Sequence, residues 1–414
     1  MTEATLSDAN TCDVAVIGAG IQGVGVAQAA AAAGHHVVVL EQYDGVAQGT
    51  SSRSSKLIHG GLRYLQQGQL RLVHEALRER RYLLQNAPHL VTLKRFYIPV
   101  FRYSRRPAWM TRAGLSLYAL LGGLRKEARF KSIKKEDWGS LKGMTNDELV
   151  TVFQYYDAQT DDTRLTKAVL QSALDLGAEA IFNARVLDIE LEDRACLVRF
   201  NGKNGSQALT ARVVVNATGP WVNRLLNCVR PCQESMNIEL VQGAHIVLPV
   251  YVGDYVVYAE SPRDRRPVLV MPWGEQTMVG STETVFTGDP NDTRPLDEEV
   301  EYLLEVFRHY FPTVAAHMGD VVSSFSGLRV LPQKRQDANR RTRETLVQLD
   351  RETEPRLVTI AGGKLTCYRA TAEGVLAKIH STIPGRAIKA ETRNLKLPEH
   401  SEFTPSNARR HTHS

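Results

Sequence analysis

Residues 50–65 read TSSRSSKLIHGGLRYL: four serines, then Lys56, His59, the pair Gly60-Gly61 and Arg63-Tyr64. These types suit a wall around something charged and flat. Hydroxyls donate to phosphates, and adjacent glycines let the backbone approach a ring where any Cβ would clash. Histidine and arginine supply proton and anion chemistry near neutral pH. A solvated loop is the plain alternative, and this stretch alone does not choose between the two. Two further cations stand far away in sequence. Arg329 sits in SGLR just before a proline turn, and Lys364 follows Gly362-Gly363 at a glycine-rich junction between strand and helix.

The element before this stretch gives it a context. Residues 13–17 (DVAVI) form a short apolar strand leading into Gly18-Ala-Gly20-Ile-Gln-Gly23 and an alanine-rich helix to Gly34. A second strand at 36–40 ends at Glu41. Gly18 makes the tight turn, Gly20 admits a pyrophosphate and Gly23 lets helix and strand pack closely, while the acid can accept from ribose hydroxyls. The helix N-terminus favours the negative charge. This pattern predicts binding of an ADP-containing dinucleotide. A later apolar strand, RVVVNATG, ends in Ala217-Thr218-Gly219, as a sheet requires where its carboxyl end meets such a cofactor.

Other periodicities place the remaining elements. Apolar spacing predicts helices at 69–86, 163–176 and 296–311, the second capped by Asp161 or Asp162. Alternation at 178–182, 186–191, 196–200 and 208–215 suggests a β-meander, and strands within 238–284 suggest an antiparallel sheet. Residues 333–344 read as a polar loop. Residues 102–135 hold an apolar helix with Trp109, Met110 and Leu120 between basic clusters. That pattern fits either an interfacial membrane helix or a buried helix with solvated ends, and is too short to span a bilayer.

With 414 residues the chain exceeds what one core usually supports, so two domains are expected. A net charge of +6 suits an anionic ligand or acidic membrane surface, and no motif accompanies it that would point to nucleic acid. Five scattered cysteines, odd in number, argue for reduced thiols in a cytoplasmic setting. Cys228 and Cys232 could share a helix face, but no further ligands stand near to make a metal site. The first eleven residues carry neither the basic nor the apolar segment of a signal peptide.

In combination VIGAGIQG, TSSRSSKLIHGGLRYL, RPAW, NATGPWV, GAHIVLP, SGLR and GGKLTCYR, in this order from 13 to 377, resemble the FAD-dependent glycerol-3-phosphate dehydrogenases among the D-amino-acid-oxidase-like flavoproteins. The resemblance implies an α/β fold: a discontinuous Rossmann-like FAD-binding domain (1–100, 159–225 and 325–380) and an antiparallel-sheet substrate domain (101–158 and 226–324). A disordered tail is expected at 381–414. By the same resemblance Gly18, Gly20, Gly23, Glu41, Thr50, Ser51, Ser52, Ser54, Ser55, Ala217, Gly219 and Gly363 line FAD. His59, Arg329 and Lys364 are implied as catalytic, and Arg63, Tyr64 and Thr282, with Arg329 and Lys364, as substrate-binding. Lys56 joins the charged set suited to phosphate. Residues 50–55 would hold the cofactor and 59–64 would face the substrate, in separate places.

The implied reaction is oxidation of sn-glycerol 3-phosphate to dihydroxyacetone phosphate, with electrons passed to a quinone by a cytoplasmic enzyme peripheral on the inner face of the membrane. Two other readings fit: a glycerol-3-phosphate oxidase using O2, or a related FAD oxidoreductase of another hydroxy acid or amine; and a flavin-binding partner protein without catalysis. Three features depart from the family pattern: Glu283 stands where Asp is usual, Val330 where Pro is usual, and the helical C-terminal domain of many members is not found.

Overall fold

Strand β1 (Thr11–Ile17), helix α1 (Ile21–Ala32) and strand β2 (Val37–Glu41) open the computed structural model, which describes residues 10–65, 67–141, 143–203, 205–333 and 345–399. The described strands form two sheets, one of nine strands and one of ten. β1 has parallel neighbours on both sides, β2 and Gly205–Asn216. Glu179–Phe182 continues the parallel order beyond β2, and Leu357–Gly362 beyond Gly205–Asn216. The central parts of β1, β2 and Gly205–Asn216, residues 14–17, 37–40 and 213–215, are wholly apolar and buried on both faces. The expected Rossmann-like α/β architecture is therefore present.

α1 is buried on every side except at Gln22, between this sheet and the helices Asp162–Asp175 and Tyr368–Ile379. Small side chains make that possible, since a Cβ on Gly25 would come within 2.7 Å of the Tyr368 ring. Of the expected meander, Arg185–Leu191, Cys196–Gly202 and Gly205–Asn216 pair in antiparallel succession. Glu179–Phe182 instead crosses the sheet to lie parallel to β2.

The second sheet contains the expected antiparallel run Ile238–Leu248, Tyr255–Glu260, Pro267–Trp273 and Gln276–Gly280. It also takes in Ser323–Pro332, paired along Ile238–Leu248, and Val91–Phe101, paired with Leu149–Thr160. Leu57–Ile58 adds a short edge. The sequence division had placed 57–58, 91–100 and 325–331 with the cofactor unit, whereas hydrogen bonding places them here. An apolar strand pattern says that a segment is buried, not which sheet buries it.

Residues 381–399 also differ from the expected tail. Ile383 and Leu397 enter the core around α1, Arg386 pairs with Asp13, and the Lys389 amide donates to the Ala32 carbonyl. Residues 1–9 and 400–414, and 334–344 of the polar loop, lie outside the described residues. Cys228 follows the helix Val222–Leu226 and Cys232 comes after Pro231, so the two do not share a helix face.

Candidate active site

The carboxyl ends of four parallel strands converge on one cavity of about 470 Å³, whose other wall is the second sheet. Gly18 after β1, Glu41 at the end of β2, Ala217 after Gly205–Asn216, and Gly362-Gly363 all line it. This is where open α/β sheets bind ligands. Gly18 has a φ of +104°, and a Cβ there would lie 2.8 Å from the Ala217 carbonyl oxygen. Gly23 does not line the cavity; a Cβ on it would lie 1.9 Å from the Gly18 carbonyl oxygen, so its lack of a side chain seats α1 on the turn. The Glu41 carboxylate accepts from the amides of Ala19 at 2.7 Å and Tyr43 at 3.1 Å, tying the end of β2 to the glycine-rich turn. Burial pushes its pKa up, against the pull of those amides.

The serines divide their duties. Ser51 Oγ accepts from the Ile21 amide at 2.9 Å, at the start of α1. Ser54 donates to Asp162, Thr50 to the Leu328 carbonyl, and Ser55 Oγ lies 2.9 Å from His245 Nε2. Thr50, Ser51, Ser54 and Ser55 line the cavity, whereas Ser52 does not and turns its hydroxyl back to the Gly49 carbonyl. His59, Arg63, Tyr64, Arg329 and Lys364 line the same cavity, as do Gly20, Gly219 and Gly363. The separate cofactor and substrate places expected within 50–65 are thus parts of one continuous space.

Around its charged corner, Lys364 Nζ lies 3.8 Å from the centre of the Tyr64 ring. Arg329 donates to Ser281 Oγ and to the Thr282 carbonyl. A Cβ on Gly243, across the strand pair, would lie 2.5 Å from Arg329 Nη2, so the glycine leaves room for the guanidinium. Glu283 Oε1 is 3.4 Å from Arg63 Nη2 and 3.6 Å from Arg329 Nη1. Burial works against the Arg63 charge, but Glu283 foremost, with Tyr64 and Tyr258, pushes its pKa up on balance. The His59 amide donates to Thr366 Oγ1 at 3.1 Å, which joins the loop to the Lys364 junction.

Two expected anion contacts fall elsewhere. Thr282 is behind the wall: its hydroxyl donates to Glu299 at 2.7 Å and accepts from the Ala244 amide. Lys56 is buried against Asp162 at 2.5 Å, an internal ion pair outside the cavity lining. Both depart from expectation because partners distant in sequence, Glu299 and Asp162, not residue type, decide which way these side chains point. His245 was missed. It lines the cavity, is 1% exposed and stacks on Phe325 with ring centres 4.9 Å apart. Burial, then Arg329 and Lys56, push its pKa down to about 3, so it is neutral at pH 7. A single histidine within an otherwise apolar strand was the available signal.

The model of the FAD dependent oxidoreductase family, DAO, matches residues 13–374. The chain belongs to this family. It is 39% identical over 376 residues to a glycerol-3-phosphate dehydrogenase of Pseudomonas aeruginosa, covering 90% of this chain and 72% of that one. It is 35% identical over 385 residues to the D-erythritol 1-phosphate dehydrogenase of Brucella abortus, covering 92% and 76%. Among solved structures, the Bacillus halodurans glycerol-3-phosphate dehydrogenase complexed with FAD superposes with a TM-score of 0.72 at 26% identity, covering 94% of this chain and 68% of that one.

The residues present fit the cofactor of this FAD-dependent family. The glycine-rich turn, the N-terminus of α1 and Glu41 meet at the cavity, as a dinucleotide requires. Trp221 Nε1 and Gln22 Oε1, on residues lining that cavity, are buried without a hydrogen-bond partner among the described residues, leaving a donor and an acceptor there.

Proposed function

We propose that the chain oxidises sn-glycerol 3-phosphate at its secondary carbon to dihydroxyacetone phosphate and passes the electrons to a quinone. The observation that carries this reading is the meeting of Arg63, Arg329 and Lys364 with His59 in the cavity that the dinucleotide turn opens into. A short phosphorylated polyol needs such a corner, and the P. aeruginosa relative's name agrees. FAD, when bound, supplies the hydride acceptor. Gly18, Gly20, Glu41, Thr50, Ser51, Ala217, Gly219 and Gly363 would hold it.

A hydride leaves carbon only if the hydroxyl proton is removed and the developing charge is stabilised. His59 takes the proton in this reading. Arg329 and Lys364 stabilise the oxyanion and, with Arg63 and Tyr64, bind the phosphate; Arg suits a bidentate contact and Lys acts as a point charge. Because the B. abortus relative is named for a four-carbon phosphate, the test is a panel: glycerol 3-phosphate, erythritol 1-phosphate and their unphosphorylated polyols, added anaerobically to the holoenzyme. Bleaching of the flavin by glycerol 3-phosphate is expected. A flavin that stays oxidised with it refutes the substrate. Quinone reduction measured against peroxide release tests the acceptor.

Attachment to a lipid surface belongs to the same reading. The helix Ala108–Leu121 is anchored by buried Leu115 and Tyr118, while Trp109, Leu120 and the following Leu124 are 68%, 60% and 55% exposed. Arg105, Arg112, Arg125, Lys126 and Arg129 are exposed around them, a combination suited to an anionic headgroup region. Among the described residues no helix is long and apolar enough to cross a membrane. Wild type is expected to sediment with anionic liposomes, and a variant with Arg105, Arg106, Arg125 and Lys126 changed to Ser is expected to stay in solution; absence of wild-type binding at any salt concentration removes this part.

A further inference from the structure

We propose that Glu283 is an internal counter-ion that competes with the substrate's phosphoryl group for Arg63 and Arg329, and thereby sets the affinity of the anion corner. The inference rests on the phosphorylated-polyol reading and adds a residue that acts against binding.

The backbone aims Glu283 into the corner. Thr282 and Thr284, its neighbours on either side, each donate a hydroxyl to Glu299 Oε1 at 2.7 Å. Glu299 is fixed in turn by Gln242 Nε2 at 2.6 Å and the Leu296 amide at 3.1 Å. With both flanking side chains held on the Glu299 side, Glu283 lines the cavity and its neighbours do not. Arg266 Nη1 donates to the Glu283 carbonyl at 3.1 Å, which holds the same peptide from outside. The Glu283 side chain is 6% exposed, so its charge is poorly screened.

One carboxylate oxygen, Oε1, serves both guanidiniums, at 3.4 and 3.6 Å. Those distances exceed the ~2.7–2.9 Å of good charge-assisted bonds. A phosphoryl group, with three acceptor oxygens and a charge near −2, can do better with the same two cations. It must also lie close to a carboxylate, and in a buried corner that repulsion is large. Glu283 thus keeps two partly buried cations neutralised between turnovers and weakens the hold on any phosphate, substrate and product alike. The carboxylate here is a glutamate where aspartate was expected, and its extra methylene extends its reach towards the cations.

The test is titration of the holoenzyme with inorganic phosphate, followed by the flavin absorbance change and by competition against glycerol 3-phosphate. Glu283→Gln keeps the size and removes the charge. It is expected to bind phosphate at least tenfold more tightly than wild type, a difference of about 1.4 kcal/mol, and to lower KM without raising kcat. A residue that merely supported the fold would not produce tighter binding. Equal or weaker phosphate binding in the variant overturns the proposal, and so does a wild type to which phosphate does not bind. Should the Gln variant not fold, Glu283→Asp, which withdraws the carboxylate by one methylene, is expected to bind phosphate several-fold more tightly; equal or weaker binding overturns the proposal there too. If phosphate binding tightens as expected but glycerol 3-phosphate does not reduce the flavin, the substrate assignment fails and the counter-ion stands.

Discussion

Lowering the pH from 7 to 5.5 is expected to destabilise the protein by about 1.3 kcal/mol through His245 alone. Its native pKa is held near 3 by burial and by the charges of Arg329 and Lys56, against 6.5 for an ordinary histidine. Below 6.5 the unfolded chain takes up a proton at this site that the native protein refuses. Stability therefore falls as pH drops through 6.5, at a limiting slope of about 1.4 kcal/mol per pH unit, and the loss stops growing only below about 3. The carboxylates titrate mainly lower, so the 7 to 5.5 window favours histidine. Urea unfolding at both pH values, with FAD in fixed excess, would be compared between wild type and His245→Gln. Whatever the substitution costs at pH 7, the wild type should lose about 1.3 kcal/mol more than the variant on acidification. Equal losses in the two proteins would refute the neutral, buried state of His245.

Two further outcomes test the site's supports. Lys56→Met strands the Asp162 carboxylate, which has no exposed surface, and should cost about 3–5 kcal/mol in urea unfolding. Because the ammonium is outside the cavity lining, KM for glycerol 3-phosphate should not rise with it, and a large rise would return Lys56 to the anion site. Gly23→Ala places a methyl 1.9 Å from the Gly18 carbonyl oxygen, forcing α1 away from the turn; the purified variant should carry less flavin, read from absorbance near 450 nm, and full loading would contradict the close seating of α1.

The part of the site that could be read from the sequence is the part built locally. The strand, glycine-rich turn and helix at the start occupy consecutive residues, and their apolar and glycine spacing is dictated by geometry within that one unit. The stretch 50–65 was legible only as a segment outside the core, because its serines, glycines and cations are poor core residues; its place beside the glycine-rich turn was needed to separate a wall from a solvated loop. His245, Thr282 and Lys56 were read less well, because each depends on a partner far away in the chain. Whether Thr282 or Glu283 faces the cavity is set by Glu299, contributed by the helix Asp297–Tyr310. Both residues lie between the strands Gln276–Gly280 and Thr284–Phe286, and no local pattern in STET says which of them meets Glu299.

The same dependence explains how the charged corner is assembled. Arg63 follows the Gly60-Gly61 bend, Arg329 lies on Ser323–Pro332, Lys364 follows Leu357–Gly362, and Glu283 lies just before Thr284–Phe286. Two sheets contribute to it. Leu357–Gly362 belongs to the first, while Ser323–Pro332 and Thr284–Phe286 belong to the second, hydrogen-bonded to opposite edges of Ile238–Leu248. Three cations at one point would repel one another if left uncompensated, and burial would raise that cost. Glu283 offsets it from the connection between two strands of the second sheet, so the corner can stay assembled without an anion in it. A carboxylate placed to stabilise the empty corner must oppose the filling of it, which is why tighter phosphate binding after its removal is the decisive sign.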